Sequence, residues 1–345
     1  MKRVMINTFL ACLFMLIGVS TASAEDEIGI FVRILAASGS YESTVVKFEE
    51  ALNQSNFVIH GMRDIYSPDG VQKSRIWVMT HPDYMAAAAG EPPNSISGQV
   101  LRVAVYEFGP GKKTYINMAN PVAHAHVYYG KSKKADHLLA VAKKVLDEMK
   151  QVASAVPGTP ESVQLEPART AKTLKKFNGD GPAKMMAGFA NWQGNQDPII
   201  EDEDPSDFAK IVRDVEKALS AKGDTGAKDR SGWDIVAKID FGDAVYFGIS
   251  NSYTESKTIR INSDFRSDGK ADEAPFPGTD HVSAMPLEVL VVNKGDTVEV
   301  LQYGEMWRMQ LYYWDSGYLA FTKNAAVPAL IENSIENAVN EEEGW

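Results

Sequence analysis

Val100-Leu101-Arg102-Val103-Ala104-Val105-Tyr106-Glu107-Phe108 sets Leu101, Val103 and Val105 against an alternate set that includes Arg102. That period of two marks a half-buried strand, one face in a core and the other toward water. Gly109-Pro110-Gly111 interrupts the run and Thr114 to Met118 resumes it, so the stretch predicts a β-hairpin. Downstream, a helix is expected from about Asp136, with Leu138, Leu139, Ala142, Val145, Leu146 and Met149 on one broad face. Upstream, Ile28 to Ala36 reads as a buried strand closed by the Ser38-Gly39-Ser40 turn. A helix capped by Ser40 or Ser43 follows, burying Val45, Phe48 and Leu52, and Arg75 to Thr80 supplies another strand.

The same order returns later in the chain. Gly188 to Trp192 reads as a short strand. Asp204 then caps a helix that has Pro205 in its first turn and Phe208, Ile211, Val212, Val215 and Leu219 on its buried face. Ile235 to Ile239 and Ala244 to Ile249 are strands. Leu287, Val289 and Val291 repeat the alternation of Leu101, Val103 and Val105, again before a glycine turn, Asn293-Lys294-Gly295-Asp296. A helix from about Asn324 to Val339 closes the unit. The pattern predicts an α+β protein of two related domains, each an antiparallel sheet with helices packed against it. Residues 25–150 form the first and 185–345 the second, with a linker over 151–184 carrying Pro157, Pro160, Pro167, Gly179, Gly181 and Pro182. The second domain is expected to hold two insertions: a polar stretch from Ser252 to Ser283, and additional strand within Val298 to Phe321.

The first half resembles the domain of unknown function 302 family. The resemblance rests on the helix from Tyr41 to Leu52, the Leu101 to Glu107 strand, and the return Lys113-Thr114-Tyr115-Ile116-Asn117-Met118-Ala119-Asn120-Pro121. It covers residues 28 to 150 and extends to the second half only through element order and the Pro286 to Val292 strand, as a divergent second copy. It implies a compact α+β domain of a kind that often self-associates, which makes a homo-oligomer one candidate state, and no established reaction.

Lys2 and Arg3, the apolar run from Phe9 to Val19 and Ala22-Ser23-Ala24 together read as a Sec-type signal peptide over residues 1–24, placing the protein in the periplasm or outside the cell. The single cysteine, Cys12, lies within it, so the exported chain is expected to be thiol-free. No later segment has the roughly 20 apolar residues of a membrane span. The net charge of −11 argues against nucleic acid or an anionic membrane surface as partner.

His124-Ala125-His126 follows the Asn-Pro step. In an extended segment both imidazoles would share a face, and with Met118 as a soft third ligand they would suit copper; haem ligation is the alternative. Tyr128 and Tyr129 stand beside them. If the ring-rich segment after Tyr303 is a strand, Trp307, Met309, Leu311 and Tyr313 face the core. Arg308, Tyr312 and Trp314 then form, with Gln310, a binding wall or subunit interface, and Trp307, Tyr128 and Tyr129 are further candidate ligand or interface residues. Other motifs fail on spacing. Asp264, Asp268 and Gly269 suggest a calcium loop, but Arg266 and Pro275 stand at ligand positions. Gly109 to Thr114 is a hairpin turn rather than a phosphate loop. No catalytic motif and no cofactor signature is present. The leading expectation is therefore a non-catalytic binding or assembly module of the bacterial cell envelope, its partner a small molecule or protein. The alternatives are a metal- or haem-associated redox accessory protein, and a hydrolase or isomerase with a dispersed interdomain site.

Overall fold

A computed structural model describes residues 27–66, 72–109, 111–225, 232–265 and 278–340. The expected leader over 1–24, Pro110 of the hairpin turn, Asp268 and Gly269 of the rejected calcium loop and the ring of Tyr318 lie outside the described residues.

The first half opens with β1 (Glu27–Ala37), α1 (Tyr41–Asn53), β2 (Val58–Tyr66), β3 (Lys73–Thr80) and α2 (Pro82–Ala88). A 3-10 turn over Pro93–Gln99 leads to β4 (Leu101–Phe108), β5 (Lys113–Ala119), α3 (Pro121–Tyr129), α4 (Ala135–Ser154), β6 (Gly158–Thr170) and α5 (Ala171–Lys175). The second half contains β7 (Gln196–Glu203), α6 (Phe208–Ser220), β8 (Asp234–Asp240), β9 (Ala244–Ser250) and α7 (Ser252–Phe265). After a 3-10 turn over Thr279–Ala284 come β10 (Leu287–Asn293), β11 (Val298–Tyr303), α8 (Glu305–Tyr313), α9 (Gly317–Lys323) and α10 (Val327–Asn340).

The chain is α+β, with two antiparallel sheets. Their orders are β2-β3-β4-β5-β1-β6 and β7-β11-β10-β9-β8. Reading the second sheet from its other edge and setting β7 to β11 against β1 to β5 gives the same order, with β6 added to the first sheet. The helices match too. Phe48 and Leu52 of α1 and Leu138, Val145 and Met149 of α4 share a core with Val103 and Val105. Ile211 and Val215 of α6 and Ile335 and Val339 of α10 pack with Val289 and Val291. Each sheet therefore has one face covered by its own helices. The alternate faces carry Arg102 and Glu288, which pair across the two halves, and each half lays its 3-10 turn on the other half's sheet.

Local chemistry explains the starts of the elements. Ser40 caps α1 by accepting from the Ser43 amide at 3.2 Å. Asn120 caps α3, its Oδ1 accepting from the Val122 amide at 3.0 Å, and Pro121 supplies the first helical residue. The Asn120 amide group also donates to the Gly29 carbonyl at 2.8 Å, which ties the helix start to β1.

Several expectations are corrected. The linker assigned to 151–184 contains the end of α4 and all of β6, which pairs with β1 from Glu27↔Thr170 to Ala37↔Gly158. Its prolines are tolerated because β6 is an edge strand, bonded on one side only. The strand expected at Gly188 to Trp192 is a turn, and the strand follows at β7. The polar stretch after Ser252 begins as α7. The strand expected within Val298 to Phe321 ends at Tyr303 and gives way to helix. Among the described residues no helix is long and apolar enough to cross a membrane.

The edge strands β2 and β8 pack together, each with a bulge at the corresponding place, after Ile59 and after Ile235. At Gly61 the approach is so close that a Cβ would lie 1.7 Å from the Val236 carbonyl oxygen. Gly61→Ala must push the two strands apart. Thermal and urea unfolding should show a loss of about 1–3 kcal/mol, the usual cost of overpacking.

Candidate functional site

Where the two faces meet, the second residues of β4 and β10 oppose each other. Arg102 Nη1 donates to Glu288 Oε1 at 2.8 Å, and both side chains are 1% exposed. Arg102 Nη2 donates to the Tyr312 hydroxyl oxygen at 2.6 Å. Arg102 Nη1 and Arg308 Nη2 both reach the Ala284 carbonyl, at 3.2 and 2.9 Å, and Arg308 Nη1 donates to Glu305 at 3.0 Å. Burial opposes both guanidinium charges, but their anionic and phenolic neighbours outweigh it and raise both pKa values. Glu305 is pushed up by burial against the pull of Arg308.

His124 completes the chain of contacts, with Nε2 3.1 Å from the Tyr312 hydroxyl. Arg102 can only donate, so the phenol oxygen accepts from it and the phenol proton is available to His124 Nε2. Burial, reinforced by Arg102 and Arg308, pushes the His124 pKa well down, so the ring is neutral. His124 and Arg308 hold corresponding places: each is the fourth residue after the cap of its helix, Asn120 or Gly304, and each helix ends in Tyr-Tyr.

A second buried polar group lies in the 3-10 turn over 279–284. His281 Nδ1 is 3.1 Å from Asp280 and its Nε2 3.2 Å from Asp315, with Phe31 edge-on at 4.9 Å and Tyr313 tilted at 6.1 Å. Burial disfavours the charged ring, but Asp315 and Asp280 outweigh it and raise the pKa. The turn is pinned to the first sheet, because Asn117 Nδ2 donates to the Asp280 carbonyl and Ser283 donates to Asn117 Oδ1.

At the rim of the network α7, α8 and α10 enclose a cavity of about 40 Å³. Its wall is mainly apolar, with Ile261, Leu287, Met309 and Ile331. Thr254, Thr258, Lys257, Glu305 and Arg308 provide its polar points.

Of the residues singled out in the sequence, His124, Arg308 and Tyr312 come together, across the two halves. The proposed His124, His126 and Met118 grouping does not. The segment is helical rather than extended, so residues two apart diverge by roughly 200° around the axis. His126 lines a separate depression with Asp136 and Lys175, and Met118 is buried on β5. Among the described residues no cluster of three or more His, Cys, Asp or Glu is placed to hold a metal ion. The split of Trp307 from Arg308, Tyr312 and Trp314 by strand alternation also fails, because α8 is a helix. Trp307 stacks on Tyr303 at 5.9 Å, and Trp314 meets Phe321 edge-on at 5.6 Å. Tyr128 packs on Trp192 at 5.4 Å, and the Tyr129 hydroxyl donates to the Ser95 carbonyl at 2.8 Å.

Glu288, Glu305, Asp280 and Asp315 were missed, and Arg102 was read as facing water. One sequence signal for the pair existed: Leu101-Arg102-Val103 and Leu287-Glu288-Val289 place opposite charges at the same step of a repeated strand.

No family model matches the sequence, and no curated protein matches it. Among solved structures, a match is the crystal structure of an uncharacterized conserved protein DUF302 from Bacillus stearothermophilus. It is 17% identical, covers 39% of this chain and 99% of its own, and superposes with a TM-score of 0.29.

Two outcomes follow from this geometry. Arg102→Met strands a buried carboxylate and should cost about 3–5 kcal/mol in urea unfolding, whereas Arg102→Met/Glu288→Leu removes both charges and should recover most of that loss. For His281, a pKa raised by folding means that stabilisation is complete below the unfolded value and fades as pH rises through the folded one. The stability difference between wild type and His281→Gln should therefore be larger at about pH 6 than at about pH 9.

Proposed function

We propose that this protein is an exported, non-catalytic binding module of the bacterial cell envelope, built as a duplicated α+β unit whose second copy has diverged. One observation carries the reading: the groups best suited to chemistry are spent on one another, and of them Glu305 and Arg308 also line the small cavity. Arg102, Glu288, Glu305, Arg308, Tyr312 and His124 are each at most 7% exposed, and they spend their hydrogen bonds within the network or on nearby backbone. A catalytic site needs such groups within reach of substrate. Here they fix the two halves in register. What stays open is the apolar-walled cavity beside Arg308, whose size admits the end of a ligand rather than a whole one. A small amphiphile fits its chemistry, with the apolar end among Ile261, Met309 and Ile331 and polar atoms toward Thr254, Thr258 and Lys257.

Native mass spectrometry of the protein recovered from the envelope should show a stoichiometric adduct of this kind, lost in a folded Met309→Trp variant that fills the cavity. Turnover in a broad substrate screen, abolished by Arg308→Gln or His124→Ala while the fold persists, would defeat the reading.

A further inference from the structure

The segment from Gly181 to Phe189 combines three properties. Met185, Met186 and Phe189 are 69%, 47% and 62% exposed, and Met185 and Phe189 are the two most exposed large apolar side chains among the described residues. The loop beneath them is anchored. The Asp180 amide donates to Gln310 Oε1 at 2.9 Å, Gln310 Nε2 donates to the Ala183 carbonyl at 3.1 Å, and Ala183 and Ala187 are buried. The Phe189 amide donates to the Lys184 carbonyl at 3.0 Å and its own carbonyl accepts from Asn178 at 3.3 Å, holding the residue at φ +55°, where a side chain rarely sits. The three apolar groups are thus displayed from a fixed backbone.

The third property is charge. The chain as a whole carries −11, yet between residues 169 and 196 the cations Arg169, Lys172, Lys175, Lys176 and Lys184 face one carboxylate, Asp180, which pairs with Arg169 at 2.6 Å. Lys172, Lys175 and Lys176 are exposed. The bond from Asn178 to Phe189 brings the end of this lysine run against the apolar group. Lys131 lines one depression with Lys175, Asn191 and Trp192, where Glu91 is the single carboxylate.

We infer that this surface docks on an anionic lipid bilayer, with Met185, Met186 and Phe189 entering the headgroup region and the surrounding lysines meeting lipid phosphates. Exposed apolar side chains near exposed lysines are the chemistry of interfacial anchoring, where burial and attraction to anionic lipid add. The net charge of −11, which taken alone argues against an anionic surface, is outweighed here by the local charge. Beyond about 8–10 Å, exposed charges are screened at physiological salt, so the local patch decides.

The test places an environment-sensitive dye on Met185→Cys in the exported protein from Glu25 onward, which holds no other cysteine, with Val46→Cys on α1 as the control. Vesicles of phosphatidylcholine with about a quarter phosphatidylglycerol are the probe. The dye at 185 should brighten and shift to the blue, and the dye at 46 should not. Pure phosphatidylcholine vesicles should give about ten-fold weaker binding, as should Lys172→Glu/Lys175→Glu/Lys176→Glu on the anionic vesicles. Without dye, Met186→Ser/Phe189→Ser, checked by circular dichroism, should sediment several-fold less with the anionic vesicles than wild type. An unresponsive dye at 185, equal responses at 185 and 46, binding indifferent to lipid charge, or unchanged sedimentation of the serine variant would each overturn the inference. Capture of an acidic protein by the patch without any vesicle response would overturn it in favour of a protein partner.

Discussion

A guanidinium held at 1% exposure tolerates few arrangements, and the pairing of Arg102 with Glu288 governs how the two halves of this protein meet. Removing both charges from water costs several kcal/mol each, recovered only with close geometry and further hydrogen bonds. The pair lies on the second residues of corresponding strands, so satisfying it aligns β4 with β10. Tyr312 then brings α8 against Arg102, and through His124 it brings α3 into the same network. Recovery is incomplete: among the described residues, Arg102 Nε, Glu288 Oε2 and the Tyr246 hydroxyl are buried without hydrogen-bond partners. An interaction with such loose ends supplies orientation more than net stability, which must come from the apolar residues around it.

That constraint shapes what each half does for the other. A sheet whose second face bears a buried arginine has no stable existence with that face in contact with an apolar partner. Its complement is the glutamate of the other sheet. The His281 turn adds a further crossing, reaching from the second half to Asn117 on β5 and placing an imidazole between two carboxylates. At the far edge, Gly61 lets β2 and β8 approach without a side chain between them. The residues of this network are thereby drawn inward, and the surface keeps the small cavity beside Arg308 and the basic, apolar segment before β7.

Legibility followed periodicity. The hairpins β4-β5 and β10-β11 were readable because their strands alternate in residue type, although β4 and β10 are buried on both faces, and helices α1, α4, α6 and α10 because each carries one buried stripe. The Asn120-Pro121 step was readable as a boundary because a cap and a first-turn proline act locally. Helices α3 and α8 were not. Pro121–Tyr129 is buried nearly all round, and Glu305–Tyr313 carries seven buried residues of nine, so neither leaves a polar stripe to reveal its turn. Strand β6 was hidden differently, since its prolines, read as breakers, are compatible with an edge.

By itself, then, the sequence determined the elements whose character is local: alternating strands, amphipathic helices, caps, and the α+β class with its repeated order. It also supplied the opposite charges at matching steps of β4 and β10. Only the tertiary structure decided that these charges meet, that His124 faces Tyr312 and not His126, and that Arg102 is interior. The physical reason is that a strand's outward face is defined by what covers it. Arg102 alternates with valines as a solvent-facing residue would, and nothing within its own strand encodes that another sheet, about 185 residues further on, would exclude the water.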